Sequence, residues 1–330
     1  MSRRLTNLLL LAFLTGAFLT GWTAFGIGTG WVRLPLVFHA VLGFAVVALI
    51  PWKSVIVRHG LKVNTGQAAT SLALLLLVVV TIASGLLFST AGVRSYGPLT
   101  AMQVHVGGGT LALILTLVHA RQRPVRPRAI DLERRSLLRA GAVLGAAGAA
   151  YVGVSGATTL LRLPGRDSRP TGSYERGSGD PAAMPVTSWL NDGTPSIAVE
   201  DWQLRVGGST YDRDAIAAFE DEITTILDCT GGWYSEQIWS GARLDRLIGD
   251  RAGRSIRIRS ATGYERRFPI AEASSLLLAT HVGGEPLSAG HGAPARLVAP
   301  GRRGFWWVKW VNEIVVDDRS WWLQPPFPLT

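Results

Sequence analysis

The stretch Ile226-Leu-Asp-Cys-Thr-Gly-Gly-Trp-Tyr-Ser-Glu-Gln-Ile-Trp239 contains the only cysteine of this 330-residue sequence, Cys229. The apolar run just before it, residues 223–227, has the length of a buried strand, and Gly231 and Gly232 allow the backbone to turn sharply. We therefore predict that Cys229 stands at the end of a strand, where functional sites are commonly built. A lone cysteine has no intramolecular disulfide partner, and the alternative to a functional thiol is a buried structural one.

Two further blocks extend this motif. Residues 227–233, followed by Trp239-Ser-Gly-Ala-Arg-Leu-Asp-Arg-Leu-Ile248, resemble the molybdenum-cofactor domain of the sulfite oxidase family. Four later segments resemble the family's pterin-binding segment in order and spacing: Gly284-Glu-Pro-Leu287, His291-Gly-Ala-Pro294, Arg296-Leu-Val-Ala-Pro-Gly301 and Val308-Lys-Trp-Val-Asn-Glu-Ile314. The resemblance covers residues 185–330. It implies a mixed α+β domain, a molybdenum–molybdopterin cofactor and the Cys229 thiolate as a catalytic ligand of the metal.

The resemblance also suggests which other residues bind the cofactor. Glycine-flanked basic turns offer backbone donors and cations to an anion such as the pterin phosphate. The expected cofactor-binding residues, besides Cys229, are Thr230, Gly231, His291, Arg296, Gly301, Arg302, Arg303 and Lys309. For each charged member the alternative is a solvated surface charge, and Lys309 departs most from that alternative because it lies within the apolar run Phe305–Val311.

One departure from the family pattern concerns the substrate. Where sulfite oxidases of the family carry an arginine after the Pro-Gly turn, this sequence has Trp306 followed by Trp307. An aromatic wall suits an organic or weakly charged substrate better than an oxyanion. We expect oxo transfer involving a small molecule such as a sulfoxide, in the manner of bacterial reductases of oxidised methionine. Sulfite oxidation is the alternative.

The first half of the chain has the composition of a membrane domain. Long uncharged apolar runs predict five membrane-spanning helices, near residues 5–28, 34–57, 68–93, 97–120 and 138–161. We predict an all-α helical bundle over residues 1–163, a flexible linker over 164–184 and the molybdopterin domain over 185–330. In that domain, patterning predicts strands at Trp202–Val206, Ser255–Arg259 and Ile314–Val316, and short helices at Asp212–Phe219 and Leu244–Ile248.

The formal net charge of +10 comes largely from residues that flank these spans. Basic residues lie before the first span, after the second and between the fourth and fifth, whereas the alternate loops carry only Arg33 and Arg94. This distribution is typical of orientation signals and gives no reason to expect nucleic acid as a partner. It predicts a multi-pass protein of the cell membrane, embedded in lipid, with a cytoplasmic N-terminus and an extracytoplasmic C-terminal domain.

Histidines within the spans suggest a second cofactor. His39 and His105 lie at similar depths on two spans that run in the same direction, as bis-histidine ligands of a b-type haem do. Interhelical hydrogen bonding is the alternative. His119, fourteen residues after His105, lies on nearly the same helix face. This spacing resembles the cytochrome b subunits of respiratory formate dehydrogenases and hydrogenases, and it predicts one or two haems, with His59 as the candidate partner of His119.

The segment Glu133-Arg-Arg-Ser-Leu-Leu-Arg139 precedes the fifth span and looks like a twin-arginine export signal, with a simple positive-inside cluster as the alternative. Together these features predict a molybdenum oxidoreductase that exchanges electrons with quinone or quinol through haem. A non-catalytic membrane haem protein with an outer binding domain is the alternative from another class. A binding domain, however, has no need for a thiol in the setting of Cys229.

Overall fold

The computed structural model describes residues 1–63, 68–188 and 192–327, and their side chains except those of residues 59–63 and 68. The chain divides into two compact units. One comprises residues 1–25 and 30–172, and the other comprises residues 26–29 and 173–330. The helices of the first unit are α1 (Arg3–Gly26), α2 (Arg33–Ala48), α3 (Ile50–Val63), α4 (Ala68–Ala91), α5 (Ala101–Gln122) and α6 (Arg134–Leu160). The short strands β1 (Ser95–Tyr96) and β2 (Leu99–Thr100) pair between α4 and α5.

Helices in the first unit have the length and composition of membrane spans. Within the described residues, five segments are long and apolar enough to cross a membrane: α1, Gly30–Ala48, most of α4, α5 and α6. Only 11–22% of the residues in their most apolar stretches are buried inside the protein. Most of their apolar side chains therefore face outward, as expected for helices that are solvated by lipid.

The second predicted span differs from the structure. A single helix was predicted over residues 34–57, whereas α2 ends at Ala48 and α3 begins at Ile50. Pro51 explains the break, because proline lacks an N–H group and clashes with the preceding helical turn but fits the first turn of a new helix. The span that carries His39 is thus shorter than expected.

Two helix pairs make up most of the packing in this unit. Helix α2 packs against α6, and α4 packs against α5. A small core joins Phe13, Leu49 and Val143 with neighbouring alanine and valine side chains. Helix α5 begins at a capping box in which Gln103 N–H donates to Thr100 Oγ1 (3.1 Å) and Thr100 N–H donates to Gln103 Oε1 (2.8 Å). This capping fixes where α5 starts.

The second unit is a mixed domain with two sheets. The described strands are β3 (Tyr174–Glu175), β4 (Leu204–Val206), β5 (Ser209–Tyr211), β6 (Asp221–Cys229), β7 (Trp233–Arg243), β8 (Ser255–Ser260), β9 (Glu265–Pro269), β10 (Leu277–Val282), β11 (Glu285–Pro286), β12 (Arg296–Val298) and β13 (Val311–Asp317). One sheet has the order β11-β10-β7-β3, with β6 paired to β7 and β12 paired to β10. The other has the order β5-β4-β13-β8-β9. Short helices α7 (Arg213–Ala217) and α8 (Leu244–Ile248) complete the domain.

Sequence patterning located these elements well. Each of the three strands named above overlaps an observed strand, both short helices are present, and the mixed fold class is confirmed. The predicted flexible linker is wrong in its second half. Ser173 and Tyr174 are buried, β3 pairs with β7, and Met184 belongs to the hydrophobic core. Apolar content was low in this stretch, but a few residues are enough to anchor a segment to a sheet edge.

Candidate active site

A tight hairpin turn places Cys229 at the end of a strand, as predicted. Strand β6 ends at Cys229, β7 begins at Trp233, and these two residues are paired across the antiparallel ladder. Gly232 N–H donates to the Cys229 carbonyl (3.1 Å), and Gly232 has a φ of +87°. Glycine adopts this left-handed conformation without steric cost, which explains why the turn needs it there.

The Cys229 sulfur is buried and receives two hydrogen bonds. The residue is 7% exposed, Gly231 N–H donates to Sγ (3.3 Å), and the Thr187 hydroxyl also donates to it. Burial raises the pKa of the thiol, whereas the Gly231 bond, the Arg303 charge and the Thr187 bond act to lower it. These donors favour a thiolate, and a bound metal ion deprotonates a coordinating thiol outright. The sulfur is therefore suited to be a metal ligand.

A cavity of about 590 Å³, including the part that opens to solvent, adjoins the sulfur. Polar, cationic and aromatic side chains share its wall. The lining residues are Thr187, Ser188, Asp192, Leu227, Cys229, Thr230, Trp233, Tyr264, Arg296, Gly304, Phe305, Trp307 and Lys309. Three of the predicted cofactor-binding residues besides Cys229 thus meet at one cavity: Thr230, Arg296 and Lys309.

Arg296 and Lys309 bring positive charge to this cavity. The Arg296 guanidinium lies over the rings of Trp239 and Trp307, with its Cζ 5.0 and 5.5 Å from their centroids. Its Nη1 donates to the His291 carbonyl (3.0 Å), while its buried Nε has no hydrogen-bond partner among the described residues. Burial lowers the pKa of Arg296 to about 10. A buried cation with an unused donor at a cavity wall is suited to bind an anion.

Lys309 supplies the second cation. Its ammonium donates to the backbone carbonyls of Thr187 (3.0 Å) and Gly290 (2.6 Å). Burial and, to a smaller extent, the charge of Arg296 together lower the pKa of Lys309 to about 8. The charge of Arg296 thus disfavours the protonated form of Lys309, and a bound anion would stabilise that form.

A buried ion pair supports the backbone beside Cys229. Arg303 Nη1 donates to Asp228 Oδ1 (2.6 Å), and its Nη2 donates to the Cys229 carbonyl (3.2 Å). Ser173 Oγ also donates to Asp228 Oδ1 (2.7 Å). Arg303 and Asp228 are 2% and 3% exposed, so their charges satisfy each other in the interior. Arg303, which was predicted to bind the cofactor, therefore supports the end of β6 and does not line the cavity.

Comparison with known families agrees with this geometry. Residues 191–322 match the family described as the oxidoreductase molybdopterin binding domain. This part of the chain is a molybdopterin-binding oxidoreductase domain of the sulfite oxidase type. The matched range includes Cys229 and all the residues that line the cavity except Thr187 and Ser188.

Similar proteins include curated mitochondrial sulfite oxidases. The match to that of Drosophila melanogaster is 28% identical and covers 39% of this chain and 30% of the relative. The match to that of Rattus norvegicus is 26% identical and covers 38% and 31%. The chain thus spans about a third of the length of these relatives. Among solved structures, the sulfane dehydrogenase SoxCD from Paracoccus pantotrophus aligns with a TM-score of 0.36 at 24% identity, over 39% of this chain and 41% of that one.

Three other residues predicted to bind the cofactor do not line the cavity. Both ring nitrogens of His291 are engaged, Nε2 with the Met184 carbonyl (3.0 Å) and Nδ1 with Ser288 Oγ (2.9 Å). Gly301 occupies a turn with a φ of +73°. Arg302 donates to Glu272 Oε1 (2.5 Å). His291 instead acts through its carbonyl, which accepts from Arg296.

The aromatic residues that line the cavity also differ from the pair Trp306 and Trp307 that the sequence suggested. Trp306 is buried against Phe268 and lies under the guanidinium of Arg266, 4.1 Å from its ring centroid, while Trp307 lines the cavity. The other aromatic members are Trp233, Tyr264 and Phe305, which sequence reasoning did not single out. The Tyr264 hydroxyl donates to the Phe305 carbonyl and so holds two wall residues together. No local sequence motif indicates that these three residues line the cavity, and only the folded structure places them there.

In the helical unit, the structure brings two of the predicted haem histidines together. The ring centroids of His39 and His105 are 5.6 Å apart, with an angle of 84° between the ring planes. His39 Nδ1 forms a hydrogen bond with the Ala17 carbonyl (2.7 Å), and His105 Nδ1 forms one with the Thr81 carbonyl (2.8 Å). Because a carbonyl only accepts, Nδ1 carries the proton on each ring, and Nε2 has its lone pair free for a metal.

The other two histidines have different surroundings. His119 lies in the last turn of α5, is partly buried and is close enough to Lys53 for their charges to interact. The Lys53 ammonium in turn donates to Asn7 Oδ1 (3.0 Å). The side chain of His59, its predicted partner, lies outside the described residues. The second haem stays a prediction.

Proposed function

We propose that this protein is a membrane-anchored molybdopterin oxidoreductase that performs oxo transfer and exchanges electrons with the quinone pool through b-type haem. The observation that carries the oxidoreductase part is the buried Cys229 thiol, which accepts two hydrogen bonds and opens on a cavity with one buried and one half-buried cation. The observation that supports the haem part is the facing pair His39 and His105.

The residues at the cavity fit the molybdenum cofactor. Cys229 would ligate the metal, and Arg296 and Lys309 would face the anionic groups of the pterin, where the free Nε of Arg296 offers a donor. When bound, molybdenum supplies two-electron oxo-transfer chemistry. The protein's own contribution is to hold the thiolate sulfur with the Gly231 and Thr187 donors and to screen the site with aromatic side chains.

We propose a small organic oxo compound, such as a sulfoxide, as the substrate class. The cavity wall contains four aromatic side chains, Trp233, Tyr264, Phe305 and Trp307, which favour an apolar substituent. Its two cations, Arg296 and Lys309, are the groups that would face the pterin. Little positive charge is then left over for a free oxyanion.

The histidine pair fits a haem iron. A bis-imidazole site places ring centroids roughly 6 Å apart if each metal–nitrogen bond is ~2 Å, as in other imidazole complexes. The observed 5.6 Å is close to this value. His39 and His105 would hold the iron, and the carbonyl bonds to Nδ1 would orient both rings and strengthen both ligands.

Cofactor analysis and two turnover assays test the proposal together. Protein purified in detergent should contain molybdenum, a pterin and b-type haem. Quinol should reduce an added methyl sulfoxide, and sulfite should not reduce quinone at a comparable rate. Protein that was produced with both cofactors available and contains neither would overturn the proposal.

The membrane topology is a further part of the proposal. Arg134 and Arg135 open α6 and would be read by the twin-arginine export receptor, which translocates domains that have folded around a cofactor. The double variant Arg134→Lys with Arg135→Lys keeps the charge, so it should leave the first four spans inserted but keep the C-terminal domain in the cytoplasm. Protease accessibility in spheroplasts measures this, and normal export of the variant would reduce the motif to an orientation signal.

Sulfite oxidation is the second candidate function, because the curated relatives described above are sulfite oxidases. It predicts rapid sulfite-dependent reduction of quinone and no turnover of sulfoxides. The pair of assays described above therefore separates the two candidates directly.

A further inference from the structure

Two helix pairs in the first unit present the same local arrangement to a histidine. In the pair α1 and α2, the Ala17 carbonyl accepts from His39 Nδ1, and Gly21 lies one turn further along α1. In the pair α4 and α5, the Thr81 carbonyl accepts from His105 Nδ1, and Gly85 lies one turn further along α4. Each histidine thus meets a carbonyl and a glycine that face the same way on the neighbouring helix.

The two glycines leave room for the imidazole rings. A Cβ atom added to Gly21 would lie 2.7 Å from His39 Nδ1, and one added to Gly85 would lie 2.6 Å from His105 Cε1. These separations are too short for non-bonded atoms, so any larger residue would displace the ring. The carbonyl fixes the tautomer of each ring, and the glycine fixes how closely the ring approaches the helix.

Helix stability does not explain why glycine stands at positions 21 and 85. Glycine is a poorer helix former than alanine, so an open helical position gains from a methyl group. Gly107 of α5 is such a position, with nothing within 4 Å of an added Cβ. It lies two residues after His105, on the opposite side of the helix. Space for a ring is the property that separates Gly21 and Gly85 from Gly107.

We infer that the Ala17 carbonyl with Gly21, and the Thr81 carbonyl with Gly85, form two equivalent cradles that orient His39 and His105 toward one b-type haem. The inference rests on the haem of the proposed function and assigns α1 and α4, which contribute no ligand, to the same site. Gly21 and Gly85 are positioning residues, because they act on the iron through the histidine rings. The two cradles also make the site pseudo-symmetric, although the sequences of the two helix pairs show no repeat.

Haem titration of the full-length protein in detergent tests the cradles. Wild type, Gly21→Ala, Gly85→Ala and the control Gly107→Ala are prepared depleted of haem and titrated with hemin, and the optical and EPR spectra are recorded. Loss of a partner that orients a metal ligand weakens metal binding by roughly 10–100-fold. We expect a loss of that order, with altered low-spin EPR g values, for Gly21→Ala and Gly85→Ala, and wild-type behaviour for Gly107→Ala.

The outcomes separate the cradles from the haem itself. If wild type binds no haem, or His105→Ala binds it as wild type does, the haem assignment fails. If the histidine variants lose haem but both cradle variants bind it with wild-type affinity and spectra, the cradle inference alone is overturned. If Gly85→Ala does not fold, combining it with His105→Ala should restore folding, because the added methyl group then meets no ring. Failure of that rescue also overturns the inference.

Discussion

The C-terminal domain surrounds Cys229 with a dense core, whereas the helices around His39 and His105 bury few of their own side chains. Trp239, Leu278 and Leu297 in that core have no exposed surface, while at most 22% of the residues in any candidate span's most apolar stretch are buried. The sulfur site is therefore shaped by close packing before a cofactor arrives. The histidine pair is held instead by hydrogen bonds from the two rings to the backbone carbonyls of Ala17 and Thr81.

Of the changes that test this comparison, substitution of Cys229 should have the largest effect. Cys229→Ser replaces a soft thiolate ligand with a hydroxyl group, which is far less acidic and a much weaker partner for molybdenum. We expect loss of turnover to background and a large loss of bound molybdenum, with an unchanged haem spectrum. Metal analysis and the optical spectrum of the same preparation measure both. Full activity with metal bound would show that the thiol is structural.

The next largest effect is expected for the histidine pair in the helical unit. His105→Ala removes one of two facing rings, so we expect loss of the low-spin haem signal and a fall in quinone-linked turnover of at least about tenfold. Turnover with an artificial donor that acts directly at the molybdenum site should persist. His119→Ala is the matched control on the same helix and should retain the His39–His105 haem. A His105→Ala protein with full haem and full quinone-linked activity would contradict the electron-transfer role.

The two sites were predictable from sequence to different degrees, for physical reasons. The Cys229 turn was predictable because strand length and glycine turns are local properties of a few residues. Arg303 was assigned to the cofactor because its charge is visible in sequence. Its partner Asp228 lies 75 residues away and is set by the sheet pairing. Similarly, apolar runs located the long apolar helices, but the break before Pro51 ended one of them early.

The cradle glycines illustrate the same limit. Nothing in the sequence of α4 indicates which side chain packs against Gly85. The structure shows that His105 of another helix does so. Local periodicity therefore predicts which helices and strands form, while the identity of the groups that meet between them depends on tertiary packing.

A smaller effect is expected at the ion pair behind the sulfur site. Arg303→Met leaves Asp228 buried without its cation, and breaking a buried pair by removing one partner costs about 3–5 kcal/mol. We expect a clear fall in the thermal midpoint of the C-terminal domain, followed by tryptophan fluorescence. The control is Arg213→Met, since the Arg213–Asp214 pair is exposed and such pairs contribute about 0–1 kcal/mol. Equal midpoints for both variants would contradict a supporting role for Arg303.

The smallest effect concerns the acid stability of the same domain, at the end of β13. Partial burial acts to raise the pKa of Asp317, but hydrogen bonds from the Arg267 side chain and the Arg319 N–H (3.0 Å) outweigh it and hold the pKa below its usual value. A carboxylate with a lowered pKa contributes stability above its unfolded pKa of about 3.9, and this contribution is lost as pH falls through the folded value. The Asp317 side chain is 35% exposed, so solvent screening limits the effect to about 1 kcal/mol or less.

Asp317→Asn should therefore be slightly less stable than wild type at pH 7 and should lose less stability between pH 5 and about pH 3. Thermal midpoints measured across this range test the sign, with Asp318→Asn at the adjacent exposed carboxylate as the control. A variant whose acid dependence matches that of wild type would show that the Arg267 contact does not stabilise the folded domain.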